Sequence, residues 1–316
     1  MPAAANAQPL NLVCRRADLD TIVEGQFLRD VLLGRLRRPL RVMPMEAGQD
    51  WPAVDGCLLL VLGYGADYET FLTARRDAGH RNVGILHMAD EKGLVDCAFY
   101  GLARYVLRNY YFPDRLDPEG RRGPPVIWIP NGYANGVGPV EPERLPGFAE
   151  RQHLVFFSGN VSGADGEYPE RVELFGVVKS HGLSSVMAAT QGFASGFGRV
   201  SFGAHLANTK FAPVPGGMSP ESIRLYDALE NGAIPVALRT DYVGAPDALD
   251  NPPFPVLDSW RELPALVGPA AEGDAGVLAH WEARRLEIAE WWRTFKRRHA
   301  ERVAGLVEAS FGAKAC

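Results

Sequence analysis

The residues best placed to do chemistry fall in one stretch, Lys210 to Val236. It reads as a strand, the turn Gly216-Gly217, a helix and a second strand. Ser219 is a natural helix N-cap and Pro220 suits the first helical position. A helix start of that kind presents free backbone N–H groups behind a glycine pair, which favours phosphate. Arg224 and Asp227 lie three apart and share a helix face. A cation for a diphosphate and a carboxylate for ribose hydroxyls would together hold a nucleotide. A plain capped helix with an exposed ion pair has the same spacing, so these residues alone leave both readings open.

A second candidate is the pair Asp90-Glu91, which follows the apolar run Val83 to Met88. Ligands bind at the open ends of parallel strands, and a carboxylate there is a candidate general base. A solvated loop pair is the competing reading, and between the two carboxylates Asp90, nearer the strand, is preferred as base. His87 reads as a strand-end hydrogen-bonding residue, and Arg108 with Asn109 and Tyr110 as either an acceptor-side lining or a packed strand end. Asn131-Gly132-Tyr133 has the composition of a turn. The Asp18-Leu19-Asp20 string falls between a strand and a helix, where aspartates act as caps, and it is not taken as a metal motif. No P-loop, GxGxxG or GxSxG string is present, so kinase, dehydrogenase and hydrolase readings have no anchor.

The elements around these residues alternate. Apolar runs at 10–15, 40–45, 57–63, 82–88 and 126–129 read as strands, with helical patterns at 21–36 and 68–78. The rhythm breaks at 138–150, where three prolines and two glycines form a linker. It restarts with strands at 154–157, 185–189, 211–214 and 234–238 and helices at 170–180, 202–208 and 219–231. Strands apolar throughout and alternating with helices argue for parallel sheets covered on both faces. Leu278, Trp281, Ile288, Trp292, Phe295, Val303 and Leu306 recur as one stripe of a long terminal helix, placed to cross from the second domain back onto the first. The expectation is an α/β protein of two doubly wound, Rossmann-like domains facing a cleft, residues 1–145 and 146–316.

Composition narrows the function. The 316 residues are 47% hydrophobic and 22% charged, with a net charge of -5, which is ordinary for a globular enzyme. Lys and Arg number 33 against 38 Asp and Glu, so no excess positive field invites nucleic acid. Four cysteines without metal-ligand spacing fit a reducing compartment. No membrane span and no secretory signal is evident, which makes cytoplasmic the expected location.

The block Lys210-Phe211, Pro215-Gly216-Gly217, then Ser222-Ile223-Arg224-Leu225-Tyr226-Asp227-Ala228-Leu229 and Gly232-Ala233-Ile234-Pro235-Val236 resembles the donor-binding segment of exostosin-like glycosyltransferases. Two further matches stand upstream in order. His87-Met88-Ala89-Asp90-Glu91, Arg108-Asn109-Tyr110-Tyr111 and Ile129-Pro130-Asn131-Gly132-Tyr133 are similar to the acceptor-side half of bacterial and ribitol-xylosyltransferase-like members. Phe156-Phe157-Ser158-Gly159-Asn160 with Arg171 resembles the family's glycine loop and basic residue. Asp227 stands where that family usually has Glu, one methylene longer.

The resemblance implies the GT-B architecture and a bacterial enzyme of polysaccharide synthesis. It would transfer a sugar from a nucleoside diphosphate sugar, with UDP expected, to a glycan or polyol-phosphate acceptor. It also implies inversion, no cofactor and no metal. Its donor site would comprise Gly159, Arg171, Lys210, Gly216, Gly217, Ser219, Ser222, Arg224 and Asp227. Asp90 and Glu91 would be catalytic, and His87, Arg108, Asn131 and Tyr133 would face the acceptor. A nucleotide-sugar epimerase on the same fold and a non-catalytic nucleotide-sugar-binding scaffold are the alternatives.

Overall fold

A computed structural model describes residues 7–63, 66–80, 82–163, 166–192 and 195–312. The chain forms two compact units: residues 1–130 with 296–316, and residues 131–295.

The first unit is built on six parallel strands: β1 (Leu10–Arg15), β2 (Leu40–Met45), β3 (Cys57–Leu62), β4 (Val83–Met88), β5 (Tyr105–Arg108) and β6 (Val126–Trp128), in the order β2-β1-β3-β4-β5-β6. β4 is buried at every position and β3 at all but its last, as continuous apolar runs require when a parallel sheet is covered on both faces. Cys14 and Cys57 sit inside this sheet, and burial pushes their thiols up to about 11 and about 12. They behave as small hydrophobes. The helix expected over 21–36 is broken into α1 (Arg16–Thr21), a helical turn α2 (Gly25–Phe27) and a π-type turn over 28–32. Asp18 lies within the first turn of α1 and accepts from the Tyr68 hydroxyl at 2.5 Å, so it fastens α1 to α3 (Ala66–Asp77) instead of capping.

The second unit repeats the plan. Its strands are β7 (His153–Asn160), a small hairpin of β8 (Ser162–Gly163) and β9 (Gly166–Glu167), β10 (Ser185–Thr190), β11 (Thr209–Pro213), β12 (Ile234–Leu238) and β13 (Val256–Leu257). The main sheet is parallel, in the order β10-β7-β11-β12-β13. Between the strands run α4 (Pro169–Ser180), α5 (Arg199–Ala207) and α6 (Ile223–Glu230), followed by α7 (Leu263–Ala271). In both sheets the strand order reverses beside the first strand, the doubly wound pattern that leaves a crevice at the strands' carboxyl ends. The two Rossmann-like α/β units are therefore the fold class the sequence predicted.

Helix α8 (Ala275–Gly312) is 38 residues long. Its Trp281, Ile288, Trp292 and Phe295 are buried in the second unit, while residues from 296 onward belong to the first. Among the described residues, no helix is long and apolar enough to cross a membrane.

The division falls at Pro130–Asn131, not in the 138–150 linker on which the sequence reading placed it. The cause is a set of buried carboxylates on and just before α6. Glu221 accepts the N–H of Asn131, Asp227 that of Ala134 and Glu230 that of Val140, at 3.1, 2.8 and 3.1 Å. Ala134 and Val137 complete the same apolar cluster as Phe156, Leu206, Ala212 and Ala228. The segment directly after β6 is thus fastened into the second unit.

Candidate functional site

Three of the expected donor-side residues, Gly159, Arg224 and Asp227, line a pocket at the carboxyl ends of β7 and β10 and the first turns of α5 and α6. It encloses about 540 Å3 of empty space including its mouth, and Ser158, Gly159, Thr190, Arg199, Arg224 and Asp227 supply its polar lining. Phe197, Phe202 and Ile223 supply the apolar part. Its place beside the strand-order reversal is where doubly wound sheets bind ligands.

Arg224 is held in this pocket by position as much as by bonding. Its Nε donates to the Ser158 carbonyl at 2.8 Å, and its guanidinium carbon lies 5.3 Å from the Phe157 ring centroid. A Cβ on residue 159 would come within 2.8 Å of that guanidinium carbon, so the close approach requires the glycine. Burial pulls the Arg224 pKa down to about 10, with the nearby Arg171 charge adding to the effect. The side chain stays cationic at neutral pH.

Asp227, 3% exposed, is pushed up to about 7 by burial, opposed by the Ala134 N–H and by the charges of Arg224 and Arg199. One carboxylate oxygen accepts from Ala134. Asp227 also lines the pocket, where it can meet a hydroxyl.

Arg171 acts differently. Its Nη1 donates to the Asn160 carbonyl at 2.5 Å and its Nε to the Gly216 carbonyl at 2.8 Å, with the guanidinium over the Tyr168 ring. Glu170 accepts the Gly216 N–H at 2.8 Å. The first turn of α4 therefore ties the end of β7 to the Gly216-Gly217 turn. A Cβ on residue 217 would meet Arg171 Nη2 at 2.6 Å, so the second glycine also gives room to this clamp.

Three expectations need correction. Helix α6 begins at Ile223, so its N-cap is Ser222 and not Ser219. Ser219 instead closes a tight turn, its Oγ accepting from the Glu221 N–H and its carbonyl from the Gly217 N–H. The helix cannot start earlier because Glu221 is drawn inward to accept from Asn131 N–H and the Tyr226 hydroxyl. Lys210 lies near the amino end of β11, away from the ligand-binding strand ends, and its Nζ donates to the Arg151 carbonyl at 2.6 Å. Burial, then the Arg151 charge, lower its pKa. Asn131 and Tyr133, expected on the acceptor side of the first domain, are buried in the second unit.

In the first unit, β4 and β5 pair so that His87 stands opposite Arg108, and both are buried at the carboxyl end of the sheet. Asp90 has little left to offer chemistry. One oxygen accepts the N–H groups of Leu94 and Val95 at 3.0 and 3.3 Å, and the other pairs with Arg108 at 3.2 Å. Ala89 takes a positive φ of 74° to present it, with its N–H on the Asn109 side chain. Glu91 is the more available carboxylate. It is half-buried and accepts from the Tyr110 hydroxyl at 2.9 Å. His87 Nδ1 lies 2.5 Å from the Tyr100 hydroxyl, and burial with the Arg108 charge pulls its pKa down to about 4. It is a hydrogen-bonded residue near the end of β4.

Arg199, Thr190, Phe197 and Phe202 were not singled out from sequence. The signal that could have found them is the glycine-rich stretch between β10 and α5 that contains Gly192, Gly196 and Gly198. Among the described residues, no group of three or more His, Cys, Asp or Glu side chains is arranged to hold a metal.

No protein-family model matches the chain, and no curated protein matches it. Among solved structures, a superposition on Phytolacca americana UGT2, complexed with UDP-2-fluoro-glucose and pterostilbene, gives a TM-score of 0.46 at 10% identity, covering 99% of this chain and 100% of that one. The Anabaena protein HepE in complex with UDP gives 0.46 at 11% identity, covering 96% and 100%. The Streptomyces nogalater glycosyltransferase SnogD gives 0.38 at 16% identity, covering 96% and 100%.

Proposed function

We propose that this protein is a glycosyltransferase that moves a sugar from a nucleoside diphosphate sugar, with UDP the expected carrier, onto a glycan or polyol-phosphate hydroxyl. The observation that carries the reading is the pocket at the carboxyl ends of β7 and β10, where Gly159 admits the Arg224 guanidinium beside Asp227. The motif resemblance to exostosin-like enzymes supports it independently. In this reading Arg224 stabilises the leaving diphosphate and Asp227 meets a ribose hydroxyl. Arg171 keeps Gly216 and Gly217 in place.

The acceptor's base is Glu91, oriented by Tyr110, with Asp90 and Arg108 as the buried pair beneath it. Glu91 takes the proton of the acceptor hydroxyl as its oxygen attacks the anomeric carbon. The bond from that carbon to the diphosphate breaks, and the electron pair leaves on phosphate oxygen facing Arg224. A single displacement of this kind inverts the anomeric centre. The diphosphate charge is met by side chains and a helix N-terminus, and no resident metal is needed.

A thermal-shift panel of UDP-, GDP-, ADP-, CDP- and TDP-sugars tests the donor. A donor at a hundred times its Kd should stabilise the fold by about 2.7 kcal/mol. Labelled donor incubated alone separates the rivals. Conversion without acceptor would indicate an epimerase, and binding without turnover under any acceptor a scaffold. Turnover should persist in EDTA; full loss, restored by manganese or magnesium, would overturn the metal-free mechanism.

A further inference from the structure

Arg199 is the first residue of α5, directly after its N-cap Gly198. Its stem runs along the backbone of Gly136, since a Cβ on residue 136 would lie 3.4 Å from Arg199 Cβ and 3.9 Å from Cγ. The stem is thus supported, and the side chain lines the same pocket as Arg224 and Asp227. What separates Arg199 from the second unit's other inward arginines is how its donors are used. Arg151 spends its guanidinium on the carbonyls of Leu206, Thr209 and Asn231, and Arg171 on those of Asn160 and Gly216. Arg224 gives its Nε to Ser158. Among the described residues, the Arg199 guanidinium has no hydrogen bond and no ion pair, although its charge reaches Asp227.

The pocket therefore holds two guanidinium groups against one carboxyl group, and burial biases that carboxyl towards its neutral form. A cationic lining in excess of what the protein itself neutralises is matched to a ligand with more than one negative charge. Arg224 alone suits a single phosphate, because its fork presents two parallel donors to one phosphoryl group. A second phosphoryl calls for a second cation.

Resting on the nucleotide-sugar reading above, we infer that Arg199 is the pocket's second phosphate ligand and the residue by which the site tells a nucleoside diphosphate from a monophosphate. It takes the place in the donor site that the sequence assigned to Lys210, which is committed at the other end of β11. It comes from the first turn of α5, not from the glycine turn before α6.

The test is calorimetric binding of UDP, UMP and uridine to the full chain and to Arg199→Ala, Arg199→Lys and Arg199→Glu. Should UDP bind weakly to the wild type, the tightest of GDP, ADP, CDP and TDP replaces it, with its own monophosphate and nucleoside. Arg199→Ala should lose tenfold or more in diphosphate affinity and leave nucleoside affinity unchanged, so that the diphosphate-to-monophosphate ratio collapses. Arg199→Lys should restore part of the ratio. Arg199→Glu guards against a folding artefact, because an acidic residue suits the first turn of a helix. It should remain folded and lose the ratio entirely. A ratio unchanged in all three variants, or an equal loss for nucleoside and diphosphate, overturns the inference while leaving the nucleotide site standing. If the wild type binds none of the diphosphates, the nucleotide reading itself falls and takes the inference with it.

Discussion

The carboxylate of Asp227 accepts the backbone N–H of Ala134 at 2.8 Å, joining α6 to a segment 93 residues earlier in the chain. Both partners are buried, and the same carboxylate lines the pocket. One side chain therefore serves both the packing of the second unit and the lining of the pocket. The neighbouring bonds of Glu221 to Asn131 and of Glu230 to Val140 make that junction a row of three.

Asp227 should make stability fall as pH rises. Its folded pKa of about 7 lies above the ordinary carboxylate value of 3.8. Between those values the folded state keeps a proton that the unfolded state has lost, so raising pH through this window costs stability, and above about 7 the loss is complete. Asp227→Asn keeps an acceptor for Ala134 and removes the buried charge. It should melt higher than the wild type at pH 8 and show a flatter profile from pH 4 to 7. Asp227→Ala should instead lose about 1–3 kcal/mol, the cost of an unsatisfied buried N–H. Urea unfolding across pH reads both, and a wild type more stable than Asp227→Asn at pH 8 would contradict the account.

Histidine burial acts in the opposite direction. His87 is held at about 4 and His299 at about 3, both chiefly by burial, below the ordinary 6.5. Between pH 6.5 and 4 the unfolded chain binds protons that the fold refuses, so stability should drop as pH falls through that range. Replacing either residue with Gln should shallow the acid limb of the stability curve. An unchanged limb in both variants would show that other groups set it.

Gly159→Ala should uncouple binding from folding. The added methyl would press on the Arg224 guanidinium, whose far end can swing away at modest cost to the fold. Nucleotide affinity should fall tenfold or more, while the melting temperature moves little. Arg224→Ala should weaken binding by about 1.5–3 kcal/mol, the scale of a charge-assisted hydrogen bond. Titration calorimetry with UDP checks both, and full affinity in either variant would remove Arg224 from the donor site.

The two acidic neighbours Asp90 and Glu91 should fail in different ways. Glu91→Gln should stay folded and turn over about 10² to 10⁴ times more slowly, the range for losing a general base. Asp90→Asn leaves Arg108 buried, at 1% exposure, without its counter-charge. It should lose about 3–5 kcal/mol of stability, as broken buried pairs do. Normal turnover in Glu91→Gln places the base elsewhere.

Lys210→Met should leave nucleotide binding untouched, since its ammonium serves the Arg151 carbonyl and not the pocket. A loss of UDP affinity without a change in melting temperature would restore its place in the donor site.

The sequence by itself determined the alternation of strands and helices, because continuous burial writes itself into local apolar runs such as Cys57–Leu62 and Ile234–Leu238. The resemblance to exostosin-like enzymes put Gly159, Arg224 and Asp227 in one site, and all three line the pocket, Gly159 from the end of β7 and the other two from α6. Strand direction was legible too, and would have set Lys210 apart, because ligand residues follow a strand and Lys210 stands near the beginning of one. Only the tertiary structure decided the rest. Arg199 reaches the pocket because β10 pairs beside β7, a choice of sheet order that no local pattern records. The boundary moved to Asn131 because carboxylates about ninety residues away take up the N–H groups of Asn131, Ala134 and Val140. Asp90 and Glu91 are adjacent and chemically alike. Arg108, brought alongside by the pairing of β5 with β4, commits one of them to an ion pair and leaves the other available.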